Sequence, residues 1–141
     1  MASLMCTQCF KLPRFPYEVH RFEKYHPYEV GQCKQCGGTV CEMDELIAPA
    51  ISELNKKGWI TKYCCSSHLG ELSTHTYILF EGSEFIPTIF PNGFWLDGDC
   101  LRFGAYKEML EGADGLKKLA NINAELYEWA LSLPVKDAVN V

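Results

Sequence analysis

The chain has 141 residues, of which 48% are hydrophobic and 13% aromatic, so it can bury the core of one domain and is not disordered as a whole. Its 18 acidic and 13 basic side chains give a formal net charge of −5, which argues against a large duplex nucleic-acid footprint. The opening MASLMCTQCFKLPRF lacks the basic start and apolar run of a signal peptide, and no stretch approaches the roughly 18 apolar residues of a membrane span. We therefore expect a cytoplasmic protein that does not enter a membrane.

Residues 1–41 differ in character from the rest of the chain. They hold five of the eight cysteines, together with many aromatic residues and prolines, and show little helical periodicity. This pattern predicts short strands and loops that are organised by something other than a hydrophobic core. We interpret residues 1–41 as a zinc-ribbon-like segment and residues 42–141 as an α/β unit with C-terminal helices, expected to form one compact domain.

Two CxxC motifs are the strongest chemical signal in the sequence. CTQC at 6–9 and CKQC at 33–36 are separated by 23 residues, and two glycines at 37–38 offer the positive φ that such a turn needs. Two CxxC turns bring four thiolates to one tetrahedral ion and direct backbone N–H groups at the sulfurs. Reduced loop cysteines are the weaker alternative, and a redox motif is disfavoured because neither pair opens a helix. We predict a structural zinc ion held by Cys6, Cys9, Cys33 and Cys36.

Basic and aromatic side chains alternate through the same segment. Such interleaving can stack on single-stranded bases, but it equally suits a small hydrophobic cluster with solvated cations at its rim. Nucleic-acid contact therefore stays open as an alternative, and the density of aromatic side chains makes a homodimer an expectation. The residues are Lys11, Arg14, Arg21, Lys24 and Lys34 with Phe10, Phe15, Tyr17, Phe22, Tyr25 and Tyr28.

The next element is a helix over residues 44–58. Asp44 can cap its N-terminus and Gly58 stands where a helix commonly ends, while Pro49 fits only a first turn, so the regular helix should begin near Ala48. Its apolar positions recur at helical spacing. They are Leu46, Ile47, Ala50, Ile51 and Leu54.

Strands follow the helix. WITKYCC at 59–65 and THTYILFE at 74–81 have strand patterns, the second with Thr76, Ile78 and Phe80 on one face. IPTIF at 86–90 and FWLDGDCLRF at 94–103 continue this as a meander, with Asp97 and Gly98 as a two-residue hairpin turn. The fold class is therefore α+β: a zinc ribbon packed on a small mixed or antiparallel sheet, with a helix before the first strand and a C-terminal helical segment.

The C-terminal segment at 105–133 has the pattern of a helix that ends before Pro134. We interpret its apolar stripe as a core-facing surface. The stripe consists of Leu119, Ile122, Leu126, Trp129 or Ala130, and Leu133.

The YCCSSH turn at 63–68 is the second chemical signal. Backbone N–H groups and hydroxyls at the end of a strand form a cradle for an anion or a carbonyl, and a histidine there can bind or move a proton. This favours a polar ligand-binding site at Cys64, Cys65, Ser66, Ser67 and His68.

Three other interpretations of the turn remain open. Cys65 and His68 can begin a second metal site, or act as a nucleophile and base, although residues three apart on one turn rarely align for that. Alternatively the two cysteines lie on alternate faces of a strand end and one is simply buried. The further metal donors would come from Cys41, His75, Cys100 or Asp97.

The run LNKKGWITKYCCSSHLGELSTHTYILFEG at 54–82, with the CxxC-bearing front, resembles a group of small uncharacterised bacterial and phage zinc-ribbon proteins. Their pattern reads LN, then KGY or KGW, a threonine, a CCSGH-like turn and a strand YI-x-F. Ser67 stands where that pattern has glycine. About ten residues are more distantly similar to the serine-rich SCSGR turn of wybutosine-synthesis tRNA methyltransferases, which use S-adenosylmethionine, but His68 replaces its arginine and too little is shared to transfer that activity.

Three functions are compatible with these motifs. The first is a small zinc-binding protein, of a regulatory or phage-encoded accessory or inhibitor kind, whose YCCSSH turn binds a polar ligand or partner protein, with His68 and Arg102 holding an anionic group. The second is an enzyme, either a metal-assisted hydrolase or a methyltransferase-like protein, that uses Cys65 and His68. The third is a zinc-ribbon nucleic-acid binder that acts through residues 1–41.

Overall fold

The computed structural model describes residues 2–23, 29–65, 76–103 and 112–137, which form two four-stranded antiparallel sheets and two α-helices. The first sheet has the order β1-β4-β3-β2, with β1 Ala2–Cys6, β2 Val19–Arg21, β3 Glu29–Cys33 and β4 Thr39–Asp44. The second has the order β5-β6-β8-β7, with β5 Thr61–Cys65, β6 Thr76–Phe80, β7 Phe94–Asp97 and β8 Cys100–Phe103. Helix α1 is Ala48–Lys56 and helix α2 is Gly112–Ser132.

The α+β class is confirmed, but two details differ from the expectation. The cysteine-bearing front is itself a four-stranded sheet, so the molecule has two sheets where one sheet beside a ribbon was expected. Helix α1 precedes the first strand of the second sheet, as predicted, but it follows the four strands of the first. A ribbon needs partners for its outer strands, and β2 and β1 pair on either side of the central β3 and β4.

Most of the hydrophobic core lies between the second sheet and the two helices. β6 alternates strictly, with Thr76, Ile78 and Phe80 buried as its sequence predicted. The core-facing stripe of α2 is also confirmed, except that Ile122 is only half-buried. Its buried members are Leu119, Leu126, Trp129, Ala130 and Leu133.

The first sheet contributes to this core as well as to a small core of its own. Met5 of β1 is buried in the main cluster, and Phe10 and Met43 pack against it. The separate cluster inside the first sheet contains Cys6, Cys33, Val19 and Val40. Because only two of these four are ordinary core residues, hydrophobic burial alone cannot hold this sheet.

Asp44 does not cap α1, contrary to the prediction. It is the last residue of β4 and pairs with Ala2 of β1, so the strand ladder holds it extended. The helix begins at Ala48 with Ile47 at its N-cap and Pro49 in the first turn, which is the only part of a helix that tolerates proline. Gly58, with φ of +91°, ends it as expected.

The predicted strand at 86–90 is wrong. These residues form bends after a 3₁₀ turn at Ser83–Phe85, because Pro87 and Pro91 lack the N–H groups that a strand ladder requires. The β7–β8 hairpin is present, but its two loop residues are Gly98 and Asp99, while Asp97 pairs with Cys100. In the part of the chain that the structure describes, neither helix combines the length and apolar character needed to cross a membrane.

Candidate metal centre

The four predicted metal ligands converge at one end of the first sheet. Cys6 ends β1 and Cys33 ends β3, and both strands pair with β4, so the two ends lie at the same end of the sheet on either side of β4. The Sγ atoms of the four cysteines all lie within 4.8 Å of one another. A sulfur tetrahedron around an ion at about 2.3 Å from each sulfur has edges of about 3.8 Å, so the four donors fit one tetrahedral ion. The four cysteines are Cys6, Cys9, Cys33 and Cys36.

The two CxxC turns have the same backbone hydrogen bonds. In each turn, the carbonyl of the first cysteine accepts a hydrogen bond from the N–H of the residue four positions later. The N–H of that same cysteine donates to the carbonyl of the residue five positions later. The two turns are therefore local copies of one structure that face each other across the site. The four bonds are Phe10 N–H to Cys6 O at 2.9 Å, Gly37 N–H to Cys33 O at 2.8 Å, Cys6 N–H to Lys11 O at 2.9 Å, and Cys33 N–H to Gly38 O at 2.8 Å.

Backbone N–H groups also point at the sulfurs. Those of Gln8 and Cys9 lie 3.4 and 3.5 Å from Cys6 Sγ, and that of Gly38 lies 3.4 Å from Cys36 Sγ. N–H groups at these positions can donate hydrogen bonds to the sulfurs of a metal-bound cysteine, which is the arrangement that orients such ligands.

Each turn requires a positive φ at the residue after its second cysteine. Gly37 has φ of +78°, as expected for glycine, but the equivalent residue in the first turn is Phe10, with φ of +59°. The Phe10 ring packs against the main core, and its carbonyl accepts a hydrogen bond from the Ser52 hydroxyl. These two contacts offset the cost of the left-handed conformation, which is about 1–2 kcal/mol for a residue with a Cβ. The spacing of the two motifs contained this signal, because Phe10 follows Cys9 as Gly37 follows Cys36.

The Cys9 thiol resists ionisation in the absence of a cation. The pKa of the Cys9 thiol is raised to about 12, mainly by burial and also by the Cys6 and Cys36 thiols, while a backbone hydrogen bond at Lys11 lowers it. The closest pair of sulfurs, on Cys6 and Cys36, lies 3.3 Å apart. A bound cation would replace these protons, so metal binding here should release protons and depend on pH.

The described part of the YCCSSH turn is the end of β5. Cys64 pairs with Ile78 and packs against the main core, whereas Cys65 pairs with Tyr77 on the opposite face. Burial raises the pKa of the Cys64 thiol to about 12, and the charges of Asp44 and Cys65 act in the same direction. The structure thus matches the alternate-face interpretation for the two cysteines. Ser66, Ser67 and His68 lie outside the described residues.

Arg102 shares a sheet face with Cys65 but does not adjoin it. It lies on β8, and one cross-strand row runs from Cys65 through Tyr77 and Arg102 to Trp95. The guanidinium lies 5.7 Å from the centre of the Tyr77 ring, and its Nε lies 3.4 Å from Asp97 Oδ2. Two strand spacings, about 10 Å, therefore separate Arg102 from β5.

The donors suggested for a second metal do not meet around Cys65. Within the described ranges, the four front cysteines are the one group of three or more metal-binding side chains close enough to share an ion. Cys41 lies on β4, and Asp97 and Cys100 flank the β7–β8 turn. His75 lies outside the described residues.

The front site is a closed set of four soft donors. Tetrahedral sulfur sites of this kind take zinc or iron, and four protein ligands leave no coordination position for a substrate. Comparisons with protein-family models, with curated proteins and with solved structures found no match for this chain. The chemistry of the site therefore rests on its own geometry.

Proposed function

We propose that this protein is a small binding module whose fold is stabilised by a structural zinc ion. The ion would be held by Cys6, Cys9, Cys33 and Cys36. The observation that carries the proposal is the convergence of four Sγ atoms within 4.8 Å, from two turns with equivalent backbone hydrogen bonds. Zinc suits this site because it accepts four thiolates without a redox change or a preferred d-electron geometry. The ion would stabilise the first sheet, because two of the four buried residues in the small core of that sheet are ligands.

The binding site of the module is proposed at the end of β5. Cys65, Tyr77 and Arg102 lie in one cross-strand row, and the chain continues from Cys65 into the serines and histidine of the turn. A guanidinium held against a tyrosine ring can bind a carboxylate or phosphate, and His68 would add a second donor. A polar, anionic ligand or an anionic group on a partner protein is the class that these residues suit.

An enzyme that uses the paired cysteines has weaker support. A cysteine nucleophile must be a thiolate, and the pKa of about 12 keeps Cys64 protonated at neutral pH. Cys65 with His68 remains the relevant pair for this alternative. Its support would have to come from a second metal ion or from loss of an activity in a His68→Ala variant.

Single-stranded nucleic acid is the second candidate partner, and one observation favours it. Tyr17 is 75% exposed and Phe15 is 46% exposed, although both are aromatic. Tyr17 borders a groove of about 310 Å³ that Lys11 and Lys34 also line. Exposed rings beside cations can stack on bases and neutralise phosphates.

The deciding experiment is elemental analysis beside native mass spectrometry of protein purified without added metal. We expect one zinc per chain in the wild type and in His68→Ala, and none in Cys33→Ser. Iron in place of zinc would contradict the zinc assignment. Two ions in the wild type and one in His68→Ala would favour the metal-dependent enzyme.

The nucleic-acid candidate has its own test. A fluorescent single-stranded RNA should bind with an affinity that falls as salt rises, and Tyr17→Ala should weaken it by about 1–3 kcal/mol. Tyr127→Ala on α2 is a matched control, because that residue is half-buried away from the groove. No binding at low salt would exclude this candidate.

A further inference from the structure

A cleft of about 700 Å³ lies between the first sheet and the edge of the second. Its apolar walls include Met5, Phe10, Met43 and Ile51, and it is bordered by residues 41–44 of β4 and 61–64 of β5. This volume is in the range of ligand-binding clefts. Thr7 and Phe10 of the first metal turn and Tyr77 of the Arg102 row line the cleft, whereas the four cysteine ligands and Arg102 are not among its described lining residues.

The cleft follows the edge of β5 that faces away from β6. In the described ranges, β5 has β6 as its one strand neighbour and ends the β5-β6-β8-β7 order. A β-bulge between Thr61 and Tyr63 interrupts the alternation of side chains along β5. Residues 61–64 of β5 line one side of the cleft and residues 41–44 of β4 line the other, so the cleft runs between β4 and the edge of β5 that faces away from β6.

One end of this edge is closed by α1. The Thr61 N–H donates to Asn55 Oδ1 at 3.1 Å, and Asn55 Nδ2 donates to Thr61 Oγ1 at 3.0 Å. The buried Asn55 side chain therefore takes the place that a neighbouring strand would fill at Thr61. Beyond Thr61 the edge runs on through Tyr63, whose side chain is 62% exposed.

The rim of the cleft is acidic. Glu42, Asp44 and Glu81 border it, and among the described residues of its lining Lys62 is the one cation. Glu42 and Glu81 are exposed, so their carboxylates can meet a charged group without a large desolvation cost. A cationic occupant is favoured and an acidic one is repelled.

We propose that the cleft binds an extended peptide segment in which basic and apolar side chains alternate, added as a strand to the edge of β5. Main-chain hydrogen bonds along β5 supply register, the apolar walls accept one face of the peptide, and the acidic rim accepts lysine or arginine from the other. A segment of about five residues, roughly 16 Å long, matches β5. This partner differs in charge from the anionic ligand proposed for the YCCSSH turn, although Tyr77 and Cys64 belong to both sites.

The test uses the metal-loaded full chain and an acetylated, amidated pentapeptide in which three lysines alternate with two valines. Titration followed by amide NMR should shift Thr61–Cys65 and saturate. Two comparison peptides separate the contributions: one with both valine amides N-methylated, and one with glutamate in place of each lysine. Each should bind at least about tenfold more weakly, since the first loses main-chain donors and the second reverses the charge.

A protein variant tests the acidic rim. Glu42→Gln with Glu81→Gln should weaken the lysine peptide by about fivefold to tenfold, because it removes two exposed charge pairs. Glu125→Gln with Glu128→Gln on α2 is the matched control, as it changes net charge equally at exposed positions outside the cleft. The proposal is overturned if the glutamate or N-methylated peptide binds as well as the lysine peptide, if shifts fall away from β5, or if both protein variants lose affinity equally.

Discussion

Gly37 and Gly38 are adjacent but serve different purposes. Gly37 has φ of +78°, and a Cβ there would meet no atom within 4 Å, so the backbone conformation alone requires glycine. A Cβ on Gly38 would lie 2.5 Å from Gln8 Cβ and 3.0 Å from Cys6 Sγ. Gly38 is therefore needed for the close approach of the two metal turns, whereas the sequence suggested a positive φ for the pair.

This difference predicts distinct effects for two alanine variants. Gly37→Ala should lower the free energy of unfolding by about 1–2 kcal/mol and keep one metal ion per chain. Gly38→Ala should weaken metal affinity by about 10- to 100-fold, because the added methyl group would push the second metal turn away from Cys6 Sγ and Gln8. Urea denaturation and competition with a chromophoric zinc chelator measure the two quantities. Equal metal affinity in both variants would contradict the assignment.

Cys64 predicts a pH dependence of stability. Its pKa rises from 9.0 to about 12, mainly through burial, so the folded protein retains a proton that the unfolded chain loses above pH 9. The contribution of this thiol to stability is present below pH 9 and is lost as pH rises towards 12. Cys64→Val should therefore show a smaller fall in stability over that interval. Parallel denaturation curves of metal-loaded wild type and variant test this, and identical pH profiles would oppose it.

At the scale of elements, the residues that directly follow α1 hold the C-terminus of α2. Lys57 Nζ donates to Ala130 O at 2.7 Å and to Leu131 O at 2.8 Å, and Trp59 Nε1 donates to Pro134 O at 3.0 Å. The lysine thus binds carbonyls of the last turn, where the regular helical donors end, although Ala130 O also accepts from the Leu133 N–H at 3.3 Å. It also neutralises the negative end of the α2 dipole.

Removal of this cation should destabilise the fold. Lys57→Met keeps the aliphatic stem but should cost about 1–2 kcal/mol of unfolding free energy. Lys56→Met is the control, since Lys56 is the exposed neighbour and its loss should change stability by less than about 0.5 kcal/mol. Similar losses in the two variants, measured by urea denaturation, would show that the carbonyl contacts contribute little.

Local patterns predicted the elements wherever chain geometry alone decides them. Pro49 fixed the start of α1 near Ala48, and the alternation of Thr76, Ile78 and Phe80 identified the buried face of β6. The sequence predicts Asp44 as a helix cap, but the residue pairs with Ala2 instead. This contact spans 42 residues, so no local pattern could reveal it. The strand at 86–90 was predicted from apolar content, which the two prolines at 87 and 91 override.

For the whole molecule, metal removal should affect the two sheets unequally. The first sheet's own cluster has Val19 and Val40 as its ordinary core residues, with Met5 reaching the main core, whereas the second sheet packs on both helices. Zinc bound by small folded peptides contributes about 10–16 kcal/mol, far more than two valines can. In a strong chelator, amide hydrogen exchange should become fast in β2 and β3 and stay slow in β6 and β8.

Cys33→Ser provides the corresponding variant. It should lose metal and unfold at a markedly lower temperature than the wild type. Uniform exchange through both sheets would mean that the fold is lost as one unit. A metal-free variant with an unchanged melting temperature would contradict the structural role of the ion.

The candidate metal site was accessible from sequence because a CxxC turn places both of its sulfurs locally. Only the approach of the two turns to each other depends on the sheet. The 23 residues between the two motifs are enough for strands that return the chain to the metal site. The relation of Arg102 to β5 could not be obtained in this way. It depends on β6 lying between β5 and β8, which is a property of strand order.

Phe10 belongs at once to a metal turn and to the wall of the cleft beside β5. The Phe10 N–H closes the turn that contains Cys6 and Cys9, and the Phe10 ring packs against the main core. Phe10 also lines the cleft, together with Thr7 of the same turn. Anything that orders this turn therefore also shapes the cleft. Thermodynamic linkage then requires reciprocity: to the extent that zinc strengthens peptide binding, peptide must strengthen zinc binding by the same factor. A partner bound there would raise the affinity of the site for the ion, and the availability of zinc would set how tightly the partner binds.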